Sequence, residues 1–168
     1  SSHEFHVLAA SGEDAIAFST ASSYAATVEK AEALAPATRE TPSGAAQALV
    51  ATPGKHTIAA VAEFLGVDAS RVVKTLVVAG ESGLVALVVR GDHQLNAIKA
   101  QSHPLVADPL RMATDAEITA ALGARPGSLG PAGLSIPVLV DRAAAALADF
   151  VCGANQDDHH PLNVNWGP

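Results

Sequence analysis

Two apolar runs dominate the middle of the chain, residues 72–78 and 84–90, separated by Gly80, Glu81, Ser82 and Gly83. Their β-branched character and the glycine-bounded turn between them predict a β-hairpin. Side chains alternate along a strand, so Lys74 shares a face with Val72, Leu76 and Val78, whereas Val73, Thr75 and Val77 look the other way. Both faces are apolar, which makes the hairpin central. A lysine in such a position either snorkels to water or stands at a cavity mouth, a fixed cation for a phosphate, a carboxylate or a developing negative charge.

Periodicity around the hairpin predicts helices. Thr57 can cap one carrying Ile58, Val61, Ala62 and Leu65, with Gly66 as its exit. Asp92 is expected to cap a second that carries Leu95, Ile98 and Lys99 and ends before Pro104. Thr114 and Glu117 have capping-box spacing ahead of Ile118, Ala121 and Leu122, and Gly123 follows as the carboxy-terminal cap. Residues 136–141 predict a strand, residues 148–152 another, and residues 161–166 a last one with Leu162, Val164 and Trp166 alternating. Near the amino terminus, Phe5, Val7, Ile16 and Phe18 predict a short hairpin turning at residues 11–14. Residues 22–34 predict a helix with Tyr24, Val28, Ala31 and Leu34 on one face, closed by Pro36. The fold class is therefore α+β, a mixed and mostly antiparallel sheet with packed helices.

Length and composition narrow the possibilities. The chain's 168 residues suffice for one full core plus an appendage. From residue 35 to 44 the sequence turns to Pro, Thr, Ser and Glu, linker chemistry that places a boundary there. Aromatic residues are only 4% of the chain and the net charge is -7, which argues against broad capture of nucleic acid by stacking or charge. Cys152 is the only cysteine, so an internal disulfide and a multi-cysteine zinc site are excluded. Its apolar surroundings predict a buried, inert thiol. No membrane span or signal peptide is visible, and a cytoplasmic location is expected. The abrupt ends suggest an excised piece.

Three groups could carry chemistry. Lys74 is the first. The loop Gly127-Ser128-Leu129-Gly130-Pro131 is the second, since two glycines let backbone N–H groups approach a ligand closely and Pro126 and Pro131 stiffen both ends. It lacks the Lys-Ser/Thr ending of a nucleotide loop. The third is the polar run Asn155-Gln156-Asp157-Asp158-His159-His160. A metal reading is weak because neighbours on an extended chain point apart, and a substrate-bonding histidine or a plain polar loop fits better. His3-Glu4-Phe5-His6 lacks the spacing of a zinc-protease motif and reads as strand.

In order and spacing, Thr52-Pro53, Val73-Lys74-Thr75-Leu76, Val89-Arg90-Gly91-Asp92-His93-Gln94-Leu95-Asn96, the Gly127 loop, Asp141-Arg142, Asp149-Phe150, Gly153-Ala154-Asn155 and Asn165-Trp166-Gly167 resemble the editing domain inserted into bacterial-type prolyl-tRNA synthetase. Ser2-His3-Glu4-Phe5, Ser11-Gly12-Glu13-Asp14 and Tyr24-Ala25-Ala26 are similar to the class II core leading into that insertion. The resemblance implies flanking core and linker over residues 1–44, the YbaK-like editing domain over 45–161 and a return strand over 162–168. It implies hydrolysis of alanine from mischarged tRNA(Pro). The need is physical, because a proline pocket discriminates against missing methylenes by only ~1–3 kcal/mol. By the same resemblance Ile58 and Val61 form the size-selecting wall, with a larger aliphatic residue common in the family where Val61 stands. Lys74 lies near the terminal adenosine phosphate, and Gly127, Ser128, Leu129, Gly130 and Pro131 take the alanyl end. His160 is the functional histidine, and Asp141 and Thr52 support it. The family usually has a glycine where Asp158 stands. Editing needs no cofactor or metal; ATP and Mg belong to the parent synthetase, expected to be a homodimer. The partners are the alanylated acceptor end of tRNA(Pro) and the rest of the synthetase. A non-catalytic tRNA-positioning insertion and a free-standing trans-editing deacylase are the alternatives.

Overall fold

In the computed structural model, the described residues are 12 and 15–167, and the chain divides into two units, Ser1–Leu34 and Ala35–Pro168. In the first, β1 (Ile16–Phe18) pairs antiparallel with β2 (Ala25–Thr27), Ile16 opposite Thr27. The other arm of the expected amino-terminal hairpin, with Phe5 and Val7, lies outside the described residues, as does His3-Glu4-Phe5-His6. The expected helix over residues 22–34 is replaced by β2 and turns. Serine hydroxyls compete for the backbone there: Ser19 Oγ accepts from the N–H groups of Ala21 and Ser22, both at 3.1 Å, and Ser22 Oγ from that of Tyr24. Tyr24, Val28 and Leu34 are exposed, so no buried face rewards a helix.

The second unit is built on the hairpin. Antiparallel β4 (Val73–Gly80) and β5 (Gly83–Arg90) pair from Val73 opposite Arg90 to Gly80 opposite Gly83. The strand expected at residues 136–141 is β6 (Val138–Val140), parallel to β5, giving the sheet order β4-β5-β6. One sheet face, with Val73, Val77 and Val88, buries Phe150, Cys152, Leu129 and Ile118. The other, with Val78, Val85 and Leu87, packs on Leu95, Ala100, Val106 and Leu110. Cys152 is 2% exposed, and burial pushes its thiol up to about 12.

The helix before the hairpin is α1 (Ile58–Leu65), with Thr57 Oγ1 accepting from the Ala60 N–H and Gly66 closing it at φ 66°. The second helix, α2 (Ala97–Gln101), starts later than expected. Asn96 caps it, because the Asp92 carboxylate is already held by Arg90. In α3 (Asp115–Leu122), Thr114 and Glu117 form the reciprocal capping box and Gly123 is the left-handed terminus. Replacing Thr114 with alanine should cost about 1 kcal/mol, read as a lower urea midpoint at unchanged slope. A fourth short helix, α4 (Arg142–Ala145), is capped by Asp141.

A second, two-stranded sheet joins distant segments. β3 (Ala48–Ala51), which the sequence pattern does not reveal, pairs antiparallel with β7 (His159–Leu162), Val50 opposite His160. The last strand thus begins earlier than expected and ends at Leu162. Beyond it only an isolated pairing links Val164 to Phe150, and Trp166 lies against Phe150 with ring centroids 4.7 Å apart. The strand expected at residues 148–152 is likewise reduced to single pairings, Val151 with Val72 and Phe150 with Val164. The linker-like segment is docked: Glu40 pairs with Arg71 at 2.8 Å and accepts from the Ala148 N–H, which with that guanidinium holds its carboxyl below the usual range.

Candidate functional site

Pairing of β3 with β7 carries Thr52 and His160 into the interior, where they are 0% and 3% exposed. Thr52 Oγ1 lies 2.6 Å from His160 Nδ1. The Gly127 backbone also acts on the ring, raising its proton affinity, and a neutral imidazole satisfies the Thr52 contact by accepting from the threonine hydroxyl. Burial, the larger influence, holds the His160 pKa below its ordinary 6.5, while the Gly127 bond opposes it. His160 therefore works as a strut between β7, Thr52 and the glycine loop.

The glycine loop is held just as closely. Gly127 adopts φ +93°, and a Cβ there would lie 2.8 Å from the His56 carbonyl oxygen. Ser128 is 1% exposed; its Oγ accepts from the Asp158 N–H, and its carbonyl accepts from the Asn155 N–H. The Gly130 N–H donates to Asn155 Oδ1 at 2.8 Å and the Ser128 N–H to the Arg125 carbonyl at 3.2 Å. Those two amides are committed, which leaves the Gly127 and Leu129 N–H groups without a protein partner among the described residues. Leu129 is buried against Val77 and Ile118, and Pro131 is half-buried.

Asp158 ties these pieces together. Its carbonyl accepts from the Thr52 N–H at 2.7 Å, its Oδ1 accepts from the Gly54 N–H at 2.8 Å, and the same oxygen is 3.8 Å from His56 Nε2. Its φ of 59° is one that glycine adopts freely, which gives a physical reason for the glycine expected at this position. A short aspartate tolerates the left-handed region when its carboxylate finds local partners, as here. His159 turns away from His160, its Nδ1 facing the Asp157 carbonyl at 2.8 Å.

Residues 56–58 lead from this group to Lys74. The His56 backbone abuts Gly127, while two residues on, the Ile58 side chain abuts Gly91, where an added Cβ would lie 2.9 Å from Ile58 Cγ2. The Gly91 carbonyl accepts from Lys74 Nζ at 3.3 Å, and the His93 carbonyl also accepts from it. Lys74 is half-buried, with its ammonium turned to backbone oxygens rather than to a carboxylate.

Two of the expected residues take other positions. Val61 is 2% exposed and packs in the core with Val72 and Val151, with the partly buried Ile58 against them. Asp141 is exposed, with its N–H bonded to the Val88 carbonyl and its carboxylate accepting from the Ala143 N–H. His56, Arg90 and His93 carry no individual signal in the sequence, although the last two lie in the Val89–Asn96 motif. A cavity of about 550 Å³ lies elsewhere, at the Gly80–Gly83 end of the hairpin, with Arg111 on its wall already paired to Glu117. The candidate chemistry is better placed toward the other end of the hairpin, where Lys74 is cradled by the Gly91 and His93 carbonyls.

Together the fold and these groups define a mixed α+β domain with a glycine loop braced by a histidine strut beside a lysine. The chain belongs to the aminoacyl-tRNA editing domain family, which it matches over residues 52–167. Members act on aminoacyl-tRNA, so the domain is an aminoacyl-tRNA deacylase concerned with translation fidelity. The chain is also similar to a solved structure described as hypothetical protein APE2540, at 28% identity and TM-score 0.57, covering 71% of this chain and 81% of that one. At 22% identity and TM-score 0.58 it shares its fold with a proposed trans-editing enzyme for prolyl tRNA synthetase, covering 70% and 76% of the two chains. No helix among the described residues is long and apolar enough to cross a membrane.

Proposed function

We propose that this domain hydrolyses alanine from alanyl-tRNA(Pro) as the editing insertion of a bacterial-type prolyl-tRNA synthetase. The observation that carries the reading is the buried Thr52–His160 hydrogen bond, together with the run from His56 against Gly127 to Ile58 against Gly91, whose carbonyl accepts from Lys74. The parent would supply the activation of proline with ATP and Mg, and its dimeric form.

Water attacks the ester carbonyl, the acyl C–O bond breaks, and the products are free alanine and a tRNA with its terminal hydroxyl restored. The Gly127 and Leu129 N–H groups suit the oxygen that gains charge as the tetrahedral species forms. Lys74 places a cation for the acceptor-end phosphate, and Ile58 limits the size of the amino-acid side chain. His160 fixes the loop through Gly127 and keeps Thr52 in place. Its Nδ1 is engaged by Thr52, which favours positioning over proton transfer at that nitrogen.

The test follows loss of labelled alanine from alanyl-tRNA(Pro) and of labelled proline from prolyl-tRNA(Pro). Release of alanine alone, slowed in a folded Lys74→Ala variant, is the expected result. Equal release of both, or none by this chain and none by the chain joined to a synthetase core, would overturn it. The neighbour described as a proposed trans-editing enzyme favours a second reading, a free-standing deacylase. That reading expects full turnover by this chain without any synthetase.

A further inference from the structure

Lys74 owes its placement to the turn that follows β5, and that turn is held from outside by one side chain. Arg90 donates from Nε to Asp92 Oδ1 at 2.7 Å and from a terminal nitrogen to Asp92 Oδ2 at 2.9 Å. The same terminal nitrogen lies 2.9 Å from His93 Nε2. A guanidinium has no acceptor, so His93 must receive this bond on an unprotonated nitrogen. Arg90 thus grips both residues that flank the Asp92–His93 peptide, and the His93 carbonyl is one of the two oxygens on the Lys74 ammonium.

The turn has few other ways to settle. The Gly91 N–H donates to the Val72 carbonyl at 2.7 Å and the His93 N–H to the Arg90 carbonyl at 2.9 Å. Gly91 is wedged where a Cβ would lie 2.4 Å from the Ala69 carbonyl oxygen and 2.8 Å from that of Val72. Its inner side is fixed by backbone, and its outer side by the Arg90 fork. The Asp92 carboxyl is held below its usual range chiefly by that fork, so the pair stays ionised at neutral pH.

We propose that Arg90 is a positioning residue for Lys74, the Arg90–Asp92–His93 fork setting the two carbonyl oxygens that aim the ammonium. Carbonyl oxygens orient a cation without cancelling its charge, whereas a carboxylate partner would neutralise it. Arg90 keeps the one carboxylate of the turn engaged and leaves the lysine its full charge for an anionic substrate. The catalytic meaning of this rests on the reading under Proposed function; the coupling of Arg90 to Lys74 does not.

The experiment has two readouts on the full chain. The first is competitive acetylation by acetic anhydride, with the modification of Lys74 measured by mass spectrometry relative to Lys55. The cradle should protect Lys74 in the parent sequence, and Arg90→Met should abolish the protection. The second is deacylation of alanyl-tRNA(Pro), where Arg90→Met should raise KM about ten-fold or more with little change in kcat. Arg90→Met should add nothing further in a Lys74→Ala background. If Arg90→Met fails to fold by circular dichroism, Asp92→Asn opens the same fork and is expected to show the same two effects at smaller size. Unchanged Lys74 protection in a folded fork variant overturns the proposal, as does a full additional loss of activity on top of Lys74→Ala. Absence of activity in the parent chain would count against the deacylase reading only, since the acetylation comparison still decides the coupling.

Discussion

Gly130→Ala is expected to disable the site and destabilise the domain together. The glycine is required by a close approach between two strands of loop. A Cβ at Gly130 would lie 1.9 Å from the Gly153 carbonyl oxygen, and one at Gly153 would lie 2.3 Å from the Ser128 carbonyl oxygen. Neither obstacle is a flexible side-chain end, so the backbones must separate. Overpacking of this sort costs typically ~1–3 kcal/mol, and backbone against backbone belongs at the upper end. Separation also carries Ser128 and Gly127 with it and breaks the 2.8 Å bond from the Gly130 N–H to Asn155. Because a misplacement of ~1 Å can cost on the order of a hundred-fold in rate, deacylation should fall at least that far. Gly167→Ala is the control, since nothing lies within 4 Å of its added Cβ. Thermal unfolding and initial deacylation rates of both variants provide the check. A Gly130→Ala protein with unchanged melting and rate would show that the loop does not cross Gly153 as described.

The same crossing illustrates what a sequence shows and what it hides. The glycines at 127, 130 and 153 could be singled out, and the resemblance attached function to the loop, but which glycine meets which is a matter of contact between distant segments. Elements with local causes were legible: the hairpin from its β-branched runs, α1 from Thr57 and Gly66, and α3 from its capping box. Elements decided by tertiary pairing were not. The four residues of β3 have no alternation to announce them, and they form a strand because His159–Leu162 lies alongside. Residues 22–34 had a helical period, but Tyr24, Val28 and Leu34 on its apolar face are exposed. Asp92 and Asn96 are both competent caps, and the choice fell to Asn96 because Arg90 had already taken the aspartate. In the site, alternation placed Lys74 on a sheet face, yet the cradle of Gly91 and His93 carbonyls depends on how the chain turns after Arg90.

The pair that the resemblance joined, Thr52 and His160, meets at 2.6 Å and carries the second large effect. Thr52→Val keeps the shape of the side chain but removes the hydroxyl, leaving Nδ1 of a buried imidazole unpaired. An unsatisfied buried group costs roughly 1–3 kcal/mol, so the melting temperature should fall and the glycine loop should lose its brace through Gly127. Acid should act on the same element. The folded His160 titrates below the 6.5 of an exposed histidine, chiefly through burial, so between the two values the unfolded chain holds the extra proton. Stability linked to this group is complete above that ordinary value and is lost as pH falls from there through the folded value, at no more than ~1.36 kcal/mol per pH unit. His160→Gln removes the titration while retaining a polar side chain, and its unfolding free energy should be the flatter of the two across that window. Guanidinium unfolding of both proteins at intervals between pH 7.5 and roughly pH 5 measures the difference. If the curves run parallel, His160 does not enter the folded protein as a neutral strut. Its bond to Gly127 would then have to be re-read as one made by a charged imidazole, a group able to serve the ester directly.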